Sequence, residues 1–163
     1  MAFLFVMLNA CTGQSYDSFE SMLEDLYAYT VPHIHPDSLQ ADELQDHYVI
    51  IDTRAKKEFE VSHIQGAIHI PYRQSPKDFY SHFDTDKPII VYCSVGYRSE
   101  LFGERVQKHY PELKVYNLYG GIFNWVNSGL PIYNPNQQQT ENIHPYNKSW
   151  GKWLTKGTPH YGQ

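Results

Sequence analysis

The sequence predicts an α/β fold: a five-stranded, mainly parallel sheet with helices on both faces. Three observations predict it. Pro88-Ile89-Ile90-Val91-Tyr92 is a short apolar run rich in β-branched residues, which reads as a strand buried on both sides. Directly after Ser99 the pattern turns helical, with Phe102, Val106 and Tyr110 four residues apart on one face. Further strand-like and helical segments alternate along the chain at a spacing that suits parallel crossover connections.

The chain opens with an apolar segment, Ala2 to Leu8, followed by Asn9-Ala10-Cys11. Seven apolar residues are too few to span a bilayer and fit a signal-peptide core. Leu8-Asn9-Ala10-Cys11 resembles a bacterial lipobox, which makes Cys11 the expected lipidation site and residues 1–11 a signal segment. No Lys or Arg precedes the apolar run, so a cleaved or truncated signal and a docked N-terminal segment stand as alternatives. Residues 12–30 form a linker and a short helix, in which Phe19, Leu23, Leu26 and Tyr27 keep helical spacing.

The main domain is expected over residues 31–132. Val31 to Pro36 reads as an edge strand, because proline at its ends removes ladder donors. His33 and His35 alternate onto one face, but nothing near them in sequence completes a metal site, so no metal is assigned. Asp37 or Ser38 is placed to cap a short helix through Leu44. Tyr48 to Asp52 is the next buried strand. Arg54 and Glu58 follow, four apart, a spacing that suits an ion pair fixing the helix start. Asp52 ends its strand at the sheet edge that carries Cys93, where it either bonds loop amides or caps the helix. Ala67 to Pro71 is a further strand. Arg73 beyond it either reaches the rim of the site to attract an anion or is simply solvated. Lys77 to Phe83 suggests a helix, and Lys114 to Leu118 the last strand. Gly120-Gly121 then turns the chain into a helix holding Trp125, with close backbone passage beside the Cys93 loop.

Residues 133–163 form an extension. Asn134 to Asn142 is polar and glutamine-rich and reads as a linker. The aromatic stretch from His144 to Leu154 is expected to fold back onto the domain, since exposed paired tryptophans are unusual.

The chemistry centres on Cys93, which sits on a tight turn between a buried strand and a helix. Amides of the loop and of the first helical turn point at whatever the sulfur carries, and Gly96 lets the backbone curl. Such a setting favours the thiolate. An inert buried cysteine is the alternative, but the carboxyl edge of a parallel sheet is where α/β folds place their sites.

Cys93-Ser94-Val95-Gly96-Tyr97-Arg98 resembles the six-residue active-site loop of the rhodanese family of sulfurtransferases. Two flanking stretches resemble the same family: Ile51-Asp52-Thr53-Arg54 with Glu58-Phe59 and His63-Ile64-Gln65-Gly66-Ala67, and Leu118-Tyr119-Gly120-Gly121-Ile122 with Trp125, Gly129 and Pro131. Ser62 departs from the glycine that many members carry. The resemblance implies a rhodanese-like three-layer fold and a thiosulfate sulfurtransferase-like enzyme. In that chemistry the Cys93 thiolate takes a sulfane sulfur from thiosulfate or a persulfide donor, and a thiol or thiol-protein acceptor removes it. Ser94, Val95, Gly96, Tyr97, Arg98 and Ser99 form the loop and its substrate contacts, with Asp52, Arg54 and Arg73 in support. Arg98 either holds the anionic donor or pins the loop through a carboxylate. No cofactor is required.

Two other function classes compete. One is a persulfide carrier without turnover or a partner-binding module. The other is a cysteine phosphatase or arsenate reductase, whose cradle needs five residues between Cys and Arg; here four intervene. A formal charge of −5 without a basic stripe argues against nucleic acid. Two cysteines, Cys11 and Cys93, supply no disulfide framework. The expected location is the cell envelope, lipid-anchored or periplasmic, with membrane contact only through the lipid; the alternative is the cytoplasm.

Overall fold

A computed structural model describes residues 15–78 and 86–162. Five parallel strands form the central sheet: β1 (His33–Ile34), β2 (Val49–Asp52), β3 (Ile68–His69), β4 (Ile89–Tyr92) and β5 (Val115–Leu118), in the order β1-β5-β4-β2-β3. The register aligns Asp52 with Tyr92, so the ends of β2 and β4 reach the same sheet edge. Every residue of β2 and β4 is buried.

Strand periodicity divides the core in two. Ile50, Ile90 and Tyr92 face one hydrophobic cluster, while Val49, Ile51, Ile89 and Val91 face the other. Helices α1 (Phe19–Leu26), α2 (Leu44–His47) and α5 (Gly121–Asn127) cover the first face through Leu23, Leu44, Ile122 and Phe123. Helix α4 (Tyr97–His109) covers the second through Phe102 and Val106. Each such buried apolar side chain contributes roughly 1.5–3 kcal/mol. This is an α/β fold with helices on both faces of a parallel sheet, as the alternation of segments implies.

Local chemistry accounts for the helix ends. Ser18 caps α1, accepting the Ser21 amide at 3.1 Å while Ser21 Oγ accepts the Ser18 amide. Lys108 lies in the last turn of α4, where a cation complements the helix dipole.

Several elements differ from the sequence reading. Residues 37–44 are not one helix capped by Asp37 or Ser38. Pro36 starts a 3₁₀ turn, Pro36–Ser38, and Ser38 Oγ donates back to the His35 carbonyl. Leu39 then goes extended to reach the core, and helix resumes only with the 3₁₀ turn Ala41–Glu43 and α2. Beyond Pro76–Asp78, also a 3₁₀ turn, the helix expected through Phe83 lies outside the described residues. So does Cys11. The polar stretch after Pro131 is no plain linker: β6 (Ile132–Tyr133) and β7 (Gln139–Thr140) form an antiparallel hairpin. Asn134 organises its turn, its Oδ1 accepting the amides of Asn136 and Gln138.

After the hairpin, β8 (Asn142–Ile143) pairs with β9 (Thr158–Pro159), and the short helix α6 (Lys148–Gly151) lies between them. Trp150, Trp153 and Leu154 pack against the first core cluster. His33 and His35 pack on aromatic rings, His33 edge-on to Tyr27 at 4.6 Å and His35 stacked on Tyr119 at 4.4 Å. Among the described residues, no group of three His, Cys, Asp or Glu is arranged to hold a metal, and no helix is long and apolar enough to cross a membrane.

Candidate active site

Cys93 follows β4 directly and Gly96 precedes α4, so the loop is held between a fixed strand and a fixed helix. Gly96 adopts φ 99°, and a Cβ there would stand 2.3 Å from the Tyr27 hydroxyl, so glycine is required twice over. In this conformation the Gly96 amide donates to Cys93 Sγ at 3.2 Å. The Gly96 carbonyl is fastened below by Asn117 Nδ2 at 2.9 Å, and Ser99 Oγ sits between that carbonyl and Asn117 Oδ1.

Arg98 closes the loop. Its guanidinium donates to both oxygens of Glu58, each at 2.9 Å, and to Ser94 Oγ at 2.9 Å. Ser94 Oγ in turn donates to Glu58 Oε1 at 3.0 Å. Burial alone would raise the Glu58 carboxyl, but the Arg98 hydrogen bonds and charge, with help from Arg54, bring it down to about 2. Burial disfavours the Arg98 cation, yet the bond to Glu58 and the nearby Cys93 hold it above its ordinary range. Of the two roles open to Arg98, the observed contact is the one that pins the loop through a carboxylate.

The pairing of Glu58 overturns the expected Arg54–Glu58 ion pair. The Arg54 side chain does not turn along the helix α3 (Lys56–Phe59); it turns back to Asp52, with Nη2 to Oδ2 at 2.6 Å and Nε to Oδ1 at 3.0 Å. Asp52 also accepts the Arg54 amide, and Arg54 Nη2 donates to the Ser62 carbonyl at 2.6 Å. The Asp52 carboxylate therefore bonds no amide of the Cys93 loop. It holds the Arg54 guanidinium and amide and meets the Tyr92 hydroxyl, and the Asp52–Arg54 pair knits β2 to the turn before Ile64. Glu58 instead caps α3 by accepting the Ala55 amide while reaching across to Arg98. Arg73 is exposed, donates to the Tyr72 hydroxyl, and does not line the cavity above Cys93.

Two further supports escaped the sequence reading. Tyr27 was read only as part of a helical stripe; its hydroxyl donates to the Val95 carbonyl at 2.5 Å and accepts the Gly120 amide at 2.9 Å. Helix α5 docks end-on, with the Ile122 and Phe123 amides donating to the carbonyls of Cys93 and Ser94. A Cβ on Gly121 would lie 2.4 Å from the Cys93 carbonyl oxygen, so the close passage anticipated for Gly120-Gly121 falls on Gly121.

Above the sulfur lies a cavity of about 390 Å³, lined by Cys93, Ser94, Val95, Tyr97 and Arg98 from the loop, Leu26 from α1, and Tyr146, Asn147, Ser149 and Trp150 from the C-terminal extension. No sequence signal tied those last four to Cys93 beyond their aromatic content. Cys93 itself is 1% exposed, so access to the sulfur runs through this cavity.

Charge burial also sets an acid sensitivity. Burial lowers His33, His63 and His144 below the ordinary histidine value. The unfolded chain charges these rings near pH 6.5, the folded one resists, so stability is complete above about 6.5 and declines as pH falls below it. Glu58, held down to about 2, contributes stability above its unfolded value and loses it only as pH falls towards 2. Urea midpoints are expected to be level from pH 7 to 8 and to drop between pH 6.5 and 5; a midpoint that rises on acidification contradicts this.

A family model described as the rhodanese-like domain matches residues 36–128. The chain belongs to that family. Among rhodanese-family relatives, the thiosulfate sulfurtransferase GlpE of Actinobacillus succinogenes is 33% identical over 84 residues, covering 52% of this chain and 74% of that protein. A probable molybdopterin-synthase adenylyltransferase of Porphyra purpurea is 32% identical over 118 residues, covering 71% of this chain and 30% of that protein. The chain spans only 21% to 30% of the length of the first curated relatives it matches. Among solved structures, a rhodanese-related protein of Thermoplasma volcanium superposes with a TM-score of 0.53 at 26% identity, covering 62% of this chain and 96% of that one.

Proposed function

We propose that this rhodanese-family protein is a sulfurtransferase acting through a persulfide on Cys93. The observation that carries the reading is the Cys93 sulfur at the floor of the cavity, accepting the Gly96 amide at 3.2 Å within a loop closed by Arg98. The Cys93 thiolate attacks the sulfane sulfur of a donor such as thiosulfate. A sulfur–sulfur bond forms at Cys93, the bond inside the donor breaks, and its electron pair leaves with sulfite. A thiol acceptor, or cyanide in an assay, then takes the outer sulfur and regenerates the thiolate. The Gly96 amide and the Arg98 charge stabilise the anionic persulfide without moving, as fixed dipoles do for an oxyanion. Because Arg98 is bound to Glu58 and Ser94, it serves the loop's shape as much as its charge.

Intact mass spectrometry tests the reading. Thiosulfate is expected to add the mass of one sulfur atom and cyanide to remove it. An unchanged mass after thiosulfate contradicts the reading, and a persulfide that cyanide and thiols leave in place points to a carrier without turnover.

Lipidation of Cys11 is the second part of the proposal, supported by Leu8-Asn9-Ala10-Cys11. At about 0.8 kcal/mol per buried CH₂, two or three acyl chains anchor the domain with no membrane-binding surface on the fold. Expression in a bacterial host is expected to place the wild type in the membrane fraction and Cys11→Ala outside it. Wild-type protein recovered soluble with residues 1–10 intact contradicts this.

A further inference from the structure

Cys93 Sγ accepts the Gly96 amide, and that N–H shares one planar peptide unit with the Val95 carbonyl. In a trans peptide the two groups point in opposite directions, so whatever holds the carbonyl aims the N–H. Glycine at 96, with φ 99°, does not itself choose the orientation. Rotating this peptide about its flanking bonds costs a glycine little and would turn the N–H away from the sulfur. An outside contact must choose. The carbonyl of Gly96 is held by Asn117 and Ser99, but it belongs to the following peptide. The Val95 carbonyl is held by the Tyr27 hydroxyl at 2.5 Å.

Tyr27 is built for that contact. It is 7% exposed, and its ring packs against His33 at 4.6 Å and against Tyr29 and Tyr119 at 5.8 Å, which fixes where the hydroxyl lies. Gly120, at the start of α5, donates its amide to the same oxygen at 2.9 Å. The hydrogen bonds then run in one direction: Gly120 N–H to the Tyr27 oxygen, Tyr27 O–H to Val95, and Gly96 N–H to the sulfur. Such a chain polarises each member and strengthens the last bond. Burial holds the Tyr27 phenol well above its ordinary value, so it remains a donor at neutral pH. Tyr27 lies outside residues 36–128, the span that the family model matches.

We propose that Tyr27 is a positioning residue of the Cys93 site: its hydroxyl fixes and polarises the Val95–Gly96 peptide so that the Gly96 N–H stays on the Cys93 thiolate. Its effect on turnover rests on the sulfur-transfer reading above, whereas its effect on the thiol is read without any sulfur donor. The other charged and titratable groups about the sulfur are Tyr97 and Arg98 of α4, Glu58 of α3 behind Arg98, and Tyr146 of the extension; α5 contributes none. Tyr27 itself is faced by His33, Tyr119 and Glu100. Tyr27→Phe removes one hydroxyl and leaves all of these in the chain.

The test follows alkylation of Cys93 by iodoacetamide against pH in the full chain, read on the Cys93 peptide by mass spectrometry. Tyr27→Phe is expected to raise the midpoint of that profile by about one pH unit, a tenfold smaller thiolate fraction below it. With thiosulfate and cyanide, kcat/KM is expected to fall about threefold to tenfold below the midpoint, because a more basic thiolate is also a better nucleophile and offsets part of the loss. Above the midpoint it is expected to reach wild type. Leu23→Ala hollows the core beneath the same helix without touching the loop. It is expected to lower the urea midpoint and to leave the alkylation midpoint in place. Should Tyr27→Phe not fold, 3-fluorotyrosine at position 27 decides: its more acidic phenol is a stronger donor and is expected to move the midpoint down. A Tyr27→Phe midpoint that does not move, an equal shift in Leu23→Ala, or a fluorotyrosine midpoint that fails to fall overturns the inference. The expected alkylation shifts in a protein that transfers no sulfur overturn the sulfur-transfer reading alone.

Discussion

Cys93→Ser is expected to fold and to lose sulfur transfer by roughly 10⁶-fold, the size of loss that follows removal of a covalent nucleophile. The hydroxyl fits the space of the sulfur and can still meet the Gly96 amide, so the loop's bonds through Val95, Gly96 and Ser94 stay in place. What is lost is the sulfur–sulfur bond itself. Comparing circular dichroism with cyanide-dependent turnover separates the two effects. Turnover surviving in the folded variant would assign the chemistry to another residue.

Asp52→Ala is expected to cost about 3–5 kcal/mol in urea unfolding, because it strands a fully buried Arg54 cation. Arg54 Nη1 already has no hydrogen-bond partner, so little remains to compensate the charge once the carboxylate goes. The same reasoning gives the sign for a double replacement. Asp52→Leu with Arg54→Met removes both charges and is expected to recover much of the loss. A single-variant cost under about 1 kcal/mol would give this pair no more weight than an exposed ion pair.

Much of the fold was legible because it depends on short-range pattern. Val49 to Asp52 and Ile89 to Tyr92 are buried on both sides, so their β-branched content alone identifies them. The Cys93 loop was legible for the same reason, lying where a strand of that kind gives way to a helix with an apolar stripe. The partners of its charges were not. Spacing makes Arg54 and Glu58 neighbours on a helix, but Asp52, two residues upstream of Arg54, offers a carboxylate in better geometry, which frees Glu58 for Arg98 forty residues away. Ion-pair choice is a tertiary competition, and a linear sequence shows the candidates without the distances. The aromatic lining of the cavity was hidden likewise: Tyr146 and Trp150 stood out as apolar groups needing cover, but nothing in their spacing shows which part of the domain they cover. The turn at Asn134 was visible as polar composition, and only its hydrogen bonds distinguish a hairpin from a linker.

The Tyr27 hydroxyl bridges Val95 and Gly120, contacts that close chain separations of 68 and 93 residues. A nascent chain leaving the ribosome therefore exposes Cys93 before the α5 residues that complete its setting have emerged. Only when the stretch around Gly120 joins the sheet does the loop gain both its strut and its end-on helix. Until then Cys93 is an ordinary thiol on an unfinished chain, open to the oxidants of its surroundings. Long-range closure of this kind is slow relative to local helix formation, so the timing of synthesis, and not only the final geometry, bears on how much of the protein matures with its sulfur intact.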